Sequence, residues 1–314
     1  MRPAFSVIFL TTLIGAGQGL FVALYLAELG AVLGAWPLPA APYFWLGCAL
    51  VLALLAAGLL ASFCHLGRPE RAWRSAAMWR TSWLSREVIV LPALMSAVAA
   101  YGLAHYVAGA GNASLALGAL GLLLALLLFV CTGMIYACLE FLQEWHSPLT
   151  VINYALFGCA SGFLLNSAWA AARAPGLASA MALWAAAFTL AAFVMRLAAL
   201  ARNARLRRKS TLQTAIGVKH PRIAQKSPGF MGGSFNTREF FHGGSPARLR
   251  AVKWAFLLLV FPLPLALAAA WSASSSWPLL PLAFALQYLG LLAERWYFFA
   301  EANHPQNLYY QALA

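Results

Sequence analysis

Aspartate is absent from this chain of 314 residues, and charged residues of all types make up only 9% of it. Hydrophobic residues make up 63%, well above their share in soluble globular proteins. The composition therefore excludes a soluble domain and predicts a membrane protein. A net charge of +13 would suggest nucleic-acid binding in a soluble chain. Here the cations lie in loops beside long apolar runs, where they set the orientation in a membrane, so we predict no nucleic-acid partner.

Paired cysteines and matched histidines are also missing. None of the five cysteines belongs to a CxxC motif, so the sequence predicts no iron–sulfur cluster, zinc site or disulfide framework in this chain. A b-type haem would need two histidines that face each other at the same depth in the membrane. His65 and His105 lie at opposite ends of apolar runs and the other histidines lie in loops or the tail, so we predict no haem.

Eight apolar segments are long enough to cross the hydrocarbon core, which takes about 20 residues of helix. The sequence thus predicts an all-α polytopic membrane protein, with residues 1–314 forming one membrane domain. The predicted spans are Phe5–Gly34, Tyr43–Cys64, Val88–Gly109, Leu115–Leu139, Leu149–Ala172, Ala180–Ala201, Ala255–Trp271 and Leu279–Ala300.

Small residues and prolines refine this architecture. Gly15 and Gly19 in the first span, like Gly158 and Gly162 in the fifth, are spaced to allow close helix approach. The second and sixth spans both end in a basic loop, and together these coincidences indicate two four-helix halves. Two prolines in the seventh span should kink it, so that neighbouring helices must satisfy the freed carbonyls.

Two basic loops orient the chain. The first runs from His65 to Glu87 and the second covers residues 202–253, whereas the opposite side holds one cation, Arg173. The positive-inside rule then places both loops and both termini in the cytoplasm, which for a bacterial inner-membrane protein fixes the topology.

Ionisable residues within or beside apolar spans are expensive and are functional candidates by default. Most of them cluster at the cytoplasmic end, whereas Glu28 lies toward the other side. Arg196, Glu294 and Arg295 can form an interhelical ion pair that holds the bundle, or, like Glu28, can take part in a proton relay. Both roles stay open at this point.

His65 stands where an apolar span meets an arginine-rich loop, and its imidazole titrates near neutral pH. Such a group can hydrogen-bond a ketone oxygen and exchange a proton with water. Arg68 and Arg71 nearby could stabilise negative charge on a reduced quinone oxygen. A histidine at a helix end is also a common interfacial or capping residue. The hypothesis that His65 binds a ligand therefore depends on the nearby Arg68 and Arg71.

The segments HLGRPERA (His65 to Ala72) and SRE (Ser85 to Glu87) resemble the membrane anchor subunits of the dimethyl sulfoxide reductase family. RPAFSVIFLTTLIGAGQGLF near the start and ERWYFFAE near the end are similar too, so the resemblance spans the chain. It implies a haem-free, eight-helix anchor that exchanges electrons with ubiquinone or menaquinone. The partners it implies are a ferredoxin-like iron–sulfur subunit and a molybdopterin catalytic subunit, which carry those cofactors themselves.

The resemblance assigns His65 to the quinone site, and we extend that site by charge and depth. The predicted quinone-binding residues are His65, Arg68, Arg71, Glu87, Tyr136 and Glu140. The predicted docking residues for the partner subunits are Arg74, Arg80, Arg207, Arg208, Lys219 and Arg222.

The long sixth loop, with KHPRIAQKSPGFMGGSFNTREFFHGG (Lys219 to Gly244), resembles the variant attached to cytoplasmic sulfite-oxidising molybdoenzymes. Sulfite oxidation with quinone as acceptor is therefore the favoured function. The alternatives are a quinol-oxidising anchor of the dimethyl sulfoxide reductase type, a purely structural anchor and an anion transporter. A transporter should show broken helices and polar groups near the bilayer midplane, whereas here they gather at one interface.

Overall fold

The computed structural model describes residues 4–64, 66–224, 226 and 245–305, and every regular element within these ranges is a helix. A 3₁₀ helix, Pro69–Ala76, lies between the second and third α-helices. The α-helices are α1 (Phe5–Val32), α2 (Ala41–Phe63), α3 (Trp83–Val107), α4 (Asn112–Ala137), α5 (Pro148–Arg173), α6 (Pro175–Ala204), α7 (Leu212–Ile216), α8 (Pro246–Val260), α9 (Pro262–Ser274) and α10 (Leu279–Glu301).

Seven helical segments in the described ranges are long and apolar enough to cross a membrane, with α8 and α9 counted together. The all-helical membrane prediction is thereby confirmed. Several helices begin before the predicted spans: α3 begins at Trp83, where the hydroxyl of Ser82 accepts a hydrogen bond from the Ser85 amide. Pro175 and Pro246 occupy the first turns of α6 and α8, a position that needs no intrahelical N–H bond.

The predicted kink in the seventh span is confirmed as a break at Phe261, between α8 and α9. Pro264 has no N–H to donate to the carbonyl of Val260, four residues earlier. Gln287 of α10 donates its side-chain amide to that carbonyl at 3.2 Å. A neighbouring helix thus satisfies the backbone group that proline leaves free, as a lipid environment demands.

Most connections between successive long helices are short, so the bundle has two distinct ends. We call the end formed by residues 64, 66–82, 138–147, 205–224, 226 and 245 the basic end. The far end is formed by residues 33–40, 108–111, 174 and 275–278. The described part of the chain begins and finishes at the basic end.

Helix α1 lies at the centre and packs against α2, α4, α5 and α10. Its closest approach is to α5, because a Cβ on Gly19 would overlap the carbonyl of Gly158, and one on Gly162 would overlap the backbone of Gly19. Gly15 is less constrained, since its Cβ would lie 3.7 Å from the nearest atom of α5. The predicted glycine contact is confirmed, and it brings polar residues of α1 and α5 together.

Candidate functional site

Glu87 projects from the first turns of α3 into the bundle and is only 8% exposed. The hydroxyl of Thr132 in α4 donates a hydrogen bond of 2.5 Å to its Oε1 atom. Tyr136, one turn further along α4, lies within electrostatic range of the same carboxyl group. The buried carboxyl group of Glu87 is therefore held by a neutral hydroxyl group. It can gain or lose a proton without breaking an ion pair to that partner.

A buried ionic cluster occupies the same end of the bundle. Glu294 of α10 is fully buried and faces two guanidinium groups. Arg196 of α6 approaches its Oε1 atom at 2.9 Å, and Arg295 approaches its Oε2 atom at 2.5 Å. The predicted ion pair therefore exists, as one carboxylate shared by two arginines.

Aromatic rings cover the guanidinium groups. The guanidinium of Arg295 lies 4.1 Å from the ring centre of Tyr154 in α5, and Tyr136 stacks on Tyr154 at 5.6 Å. Cation–π contacts of this kind are strongest where water is excluded. Because Thr132, one turn before Tyr136 in α4, bonds Glu87, this helix connects the aromatic group to the buried acid.

The predicted residues of the first loop lie at the surface. Arg68 is exposed, and Arg71 makes a loose pair of 3.8 Å with Glu70. Arg74 and Arg80 lie over the rings of exposed tryptophans, Trp73 and Trp79 respectively. The arginine–tryptophan alternation thus forms a cationic rim of the kind that suits a membrane interface.

Glu140 lies apart from the buried acid. It is exposed in a cleft of about 150 Å³ that also holds Glu144, Arg208 and Lys209. The other predicted docking residues of the second loop are exposed as well, namely Arg207, Lys219 and Arg222. Arg202 instead anchors α6, because it donates to the carbonyls of Gln143 and His146 at 3.0 and 2.9 Å.

Two parts of the predicted site fall outside the described residues. His65, the central residue of the quinone hypothesis, is one of them. Most of the glycine-rich part of the sixth loop, residues 227–244, is the other. The roles suggested for them rest on the sequence.

The far end holds a second buried cluster around Glu28. Tyr101 donates to Oε2 of Glu28 at 2.8 Å, and Ser114 donates to Oε1. The Nε2 atom of His105 lies 3.2 Å from Oε2, and its ring stacks on Phe44 at 4.2 Å. All four polar residues are at most 1% exposed, so both carboxyl oxygens are satisfied inside the protein.

Comparisons with known proteins decide the family. The model of the DMSO reductase anchor subunit (DmsC) matches residues 2–310. The chain belongs to the DMSO reductase anchor subunit family. A sulfite dehydrogenase subunit of Allochromatium vinosum is 54% identical over 325 aligned residues, and the alignment covers 100% of both chains. For this member of the anchor family, the resemblance stated from the sequence is confirmed.

Sequence reasoning missed the partners of the two isolated acids. Thr132 was not proposed for Glu87, and Tyr101, His105 and Ser114 were not proposed for Glu28. The sequence did hold a signal for the Glu28 cluster. A short connection between α3 and α4 places the end of α3, with Tyr101 and His105, beside the start of α4, with Ser114. Two other polar residues of α1 make different contacts: Gln18 donates to the carbonyl of Ala125 at 3.0 Å, whereas Tyr25 packs against Tyr101.

Proposed function

We propose that this chain is the membrane anchor of a sulfite-oxidising molybdoenzyme in the bacterial inner membrane, and that it exchanges electrons with quinone. The observation that carries the proposal is the 54% identity, over both full lengths, with a protein named as part of a sulfite dehydrogenase. Electrons would pass from the clusters of an iron–sulfur partner, fed by a molybdopterin subunit, to quinone in the membrane. Quinone supplies a lipid-soluble acceptor that takes up two electrons and two protons.

The proposed topology has eight crossings in two halves of four, with the basic end in the cytoplasm. Helix α10 supplies the eighth crossing: it has 23 residues, and Gln287, Glu294 and Arg295 on it are all buried in the bundle. The contact between α1 and α5, the first helices of the two halves, supports the division. Reporter fusions after residue 305 and in the second basic loop should both be cytoplasmic, and a periplasmic result at either position would overturn this orientation.

The proposed quinone site lies where the exposed cationic rim meets the buried acid. Its residues fit the chemistry of a ring with two carbonyl oxygens, because Arg68 and Arg71 offer charged donors and Glu87 offers a carboxyl group in a mostly apolar wall. His65 and Glu87 exchange protons with the ligand, and the arginines stabilise negative charge on its oxygens. Tyr136 and Glu140 complete the set taken from the sequence, Tyr136 as part of the wall and Glu140 at the surface.

The experiment that tests this function compares two acceptors in the purified complex. In a His65→Ala variant, sulfite oxidation should persist with a soluble dye and fall strongly with a quinone analogue. Arg68→Ala should have the same effect to a smaller degree. His220→Ala is a matched control, because His220 is exposed in the second basic loop and its Nδ1 atom contacts only the nearby backbone of Arg222. Equal losses with both acceptors would show that His65 supports assembly and would remove it from the quinone site.

A further inference from the structure

Two small cavities inside the basic end share the side chains of Tyr154 and Arg295 as walls. The inner cavity, of about 30 Å³, lies between α1, α4, α5 and α10 and reaches Thr132 and Gln18. The outer cavity, of about 10 Å³, extends from the same two walls toward Asn203 and Glu144. The half-buried Asn203 and Glu144 lie at the basic end, so the pair of cavities leads inward from that surface.

Both spaces are lined by buried polar atoms that make no hydrogen bond of good geometry, although Tyr154 Oη lies close to Arg295 and Tyr136. Tyr154 Oη and Arg295 Nη1 belong to the shared walls, and Asn153 Oδ1 and Arg196 Nη2 belong to the outer cavity. None of these four makes a hydrogen bond of good geometry to the described residues. Their side chains are 3–7% exposed. Leaving such atoms unsatisfied costs about 1–3 kcal/mol each, and native proteins fill such positions with ordered water.

The available space agrees with water as the occupant. About 10–15 Å³ is enough for one molecule. The inner cavity therefore has room for water, and the outer one is at the limit for a single molecule. Carboxyl groups accompany the guanidinium groups around them: Glu294, Glu301 and Glu144 lie near Arg196, Arg295 and Arg202. The route is thus polar, with acidic groups close to the cations along it.

The inner cavity reaches Thr132, which is bonded to the buried acid of the proposed quinone site. Thr132 forms part of its wall and donates its hydroxyl proton to Glu87. A hydroxyl that accepts a hydrogen bond from water while it donates to a carboxylate can pass a proton between them.

We propose that the two cavities hold a chain of water molecules that carries protons from the basic-end surface at Asn203 to Glu87. The chain passes Arg196, Arg295 and Tyr154, and Thr132 makes the last transfer. The use of these protons rests on the proposed function, whereas the presence of water does not. Glu87 then receives protons through the interior of the bundle.

Water in the cavities is tested by X-ray radiolytic footprinting of the purified complex with mass spectrometry. A bound water molecule leads to modification of the ring beside it, even when that ring is buried. Tyr154 should be modified, whereas Tyr101 is the matched control, because it is fully buried and its hydroxyl is bonded to Glu28. If Tyr154 stays unmodified at doses that modify exposed Trp73, the cavities are dry and the proposal fails.

Proton transfer is tested with variants of the two polar side chains. Tyr154→Phe removes the hydroxyl of a side chain that lines both cavities, and Thr132→Val separates the inner cavity from Glu87. Each variant should lower the ratio of the quinone-coupled rate to the dye-coupled rate several-fold. Each should also increase the solvent deuterium isotope effect on the quinone-coupled rate. Thr132→Ser should restore both, and Thr132→Val should keep the Tyr154 footprint. Tyr101→Phe should leave the ratio unchanged.

The two tests fail in different ways. Modified Tyr154 with an unchanged rate ratio in both variants would mean that the water is structural, and the relay would be rejected. A wild-type complex with no quinone-coupled rate would instead reject the proposed function, and the footprint would still report whether water is present.

Discussion

The two ends of the bundle bury a carboxylate in different ways. At the far end, Glu28 is surrounded by Tyr101, Ser114 and His105, each from a neighbouring helix. At the basic end, Glu294 faces two guanidinium groups, and nitrogen atoms on both remain without protein partners beside small cavities. Both carboxyl oxygens of Glu28 accept hydrogen bonds, although the ring nitrogens of His105 make none of good geometry. The spare donors around Glu294 differ because they lie beside cavities that leave a place for water. We therefore expect a structural role for the far-end cluster and the proposed proton chemistry at the basic end.

The largest effect should come from the basic-end carboxylate. Glu294→Gln keeps the shape of the side chain but leaves Arg196 and Arg295 without their shared counter-charge, which should lower the free energy of unfolding by about 3–5 kcal/mol. Thermal or denaturant unfolding of the purified protein in detergent measures it. Glu70→Gln is the control, because that exposed pair is loose and should contribute less than about 1 kcal/mol. Equal losses in the two variants would contradict the buried-cluster account.

A smaller loss of stability should follow from a change that pushes α1 and α5 apart. Gly19→Ala places a methyl group against the backbone of Gly158 and should cost about 1–3 kcal/mol of stability or more. Gly15→Ala, one turn earlier in α1, is the matched control, because its added Cβ meets ordinary contact at 3.7 Å. The same unfolding assay compares them. If both variants unfold alike, α1 and α5 are not held at the distance that the glycines indicate.

The far-end cluster should affect stability without affecting electron transfer. Glu28→Gln weakens the bonds from Tyr101 and Ser114, and we expect a loss of about 1–2 kcal/mol, because a hydrogen bond to a charged acceptor contributes about 1 kcal/mol more than one to a neutral acceptor. The ratio of quinone-coupled to dye-coupled rates should stay at the wild-type value. Tyr106→Phe, at an exposed position on the same end, is the control. A selective fall in the quinone-coupled rate of Glu28→Gln would erase the distinction between the two ends.

The smallest change in stability should come from the exposed cations of the basic end. Arg207→Glu together with Arg208→Glu should alter the free energy of unfolding by no more than about 0.5 kcal/mol. Docking of the catalytic subunits should weaken nevertheless, because rim charges act through complementarity with a partner. Fractionation of membranes at increasing salt tests this expectation. Subunits that stay bound at raised salt in the double variant would indicate a mainly apolar attachment.

The helices could be predicted from sequence because about 20 consecutive apolar residues have few other structures available in a membrane. Their ends were less predictable. Helix α8 begins at Pro246, nine residues before the predicted span, because its first turns carry Arg248, Arg250 and Lys253, which lower the hydropathy without breaking the helix. A search for apolar segments therefore misses the charged turns by which a helix extends beyond the lipid.

The site was predictable in depth but not in detail. Glu87, Arg196, Glu294 and Arg295 stood out because charges in apolar spans are rare. Their hydrogen-bond partners did not stand out, because the rotation of each helix about its axis determines which side chains face each other. Lipid and protein interior are equally apolar, so the sequence of α4 shows no face that marks Thr132 as pointing toward α3.

The burial of α1 also sets an order on assembly. This helix leaves the ribosome before the other nine α-helices described above, yet Gln18 bonds to Ala125, 107 residues later, and Thr12 contacts Tyr288, 276 residues later. Its glycine face has no counterpart until α5 is made. Helix α1 thus precedes its partners into the membrane and is among the last of these helices to find its final neighbours. During synthesis, Gln18 and Glu28 must stay near the insertion machinery or water, because lipid offers them no hydrogen bonds.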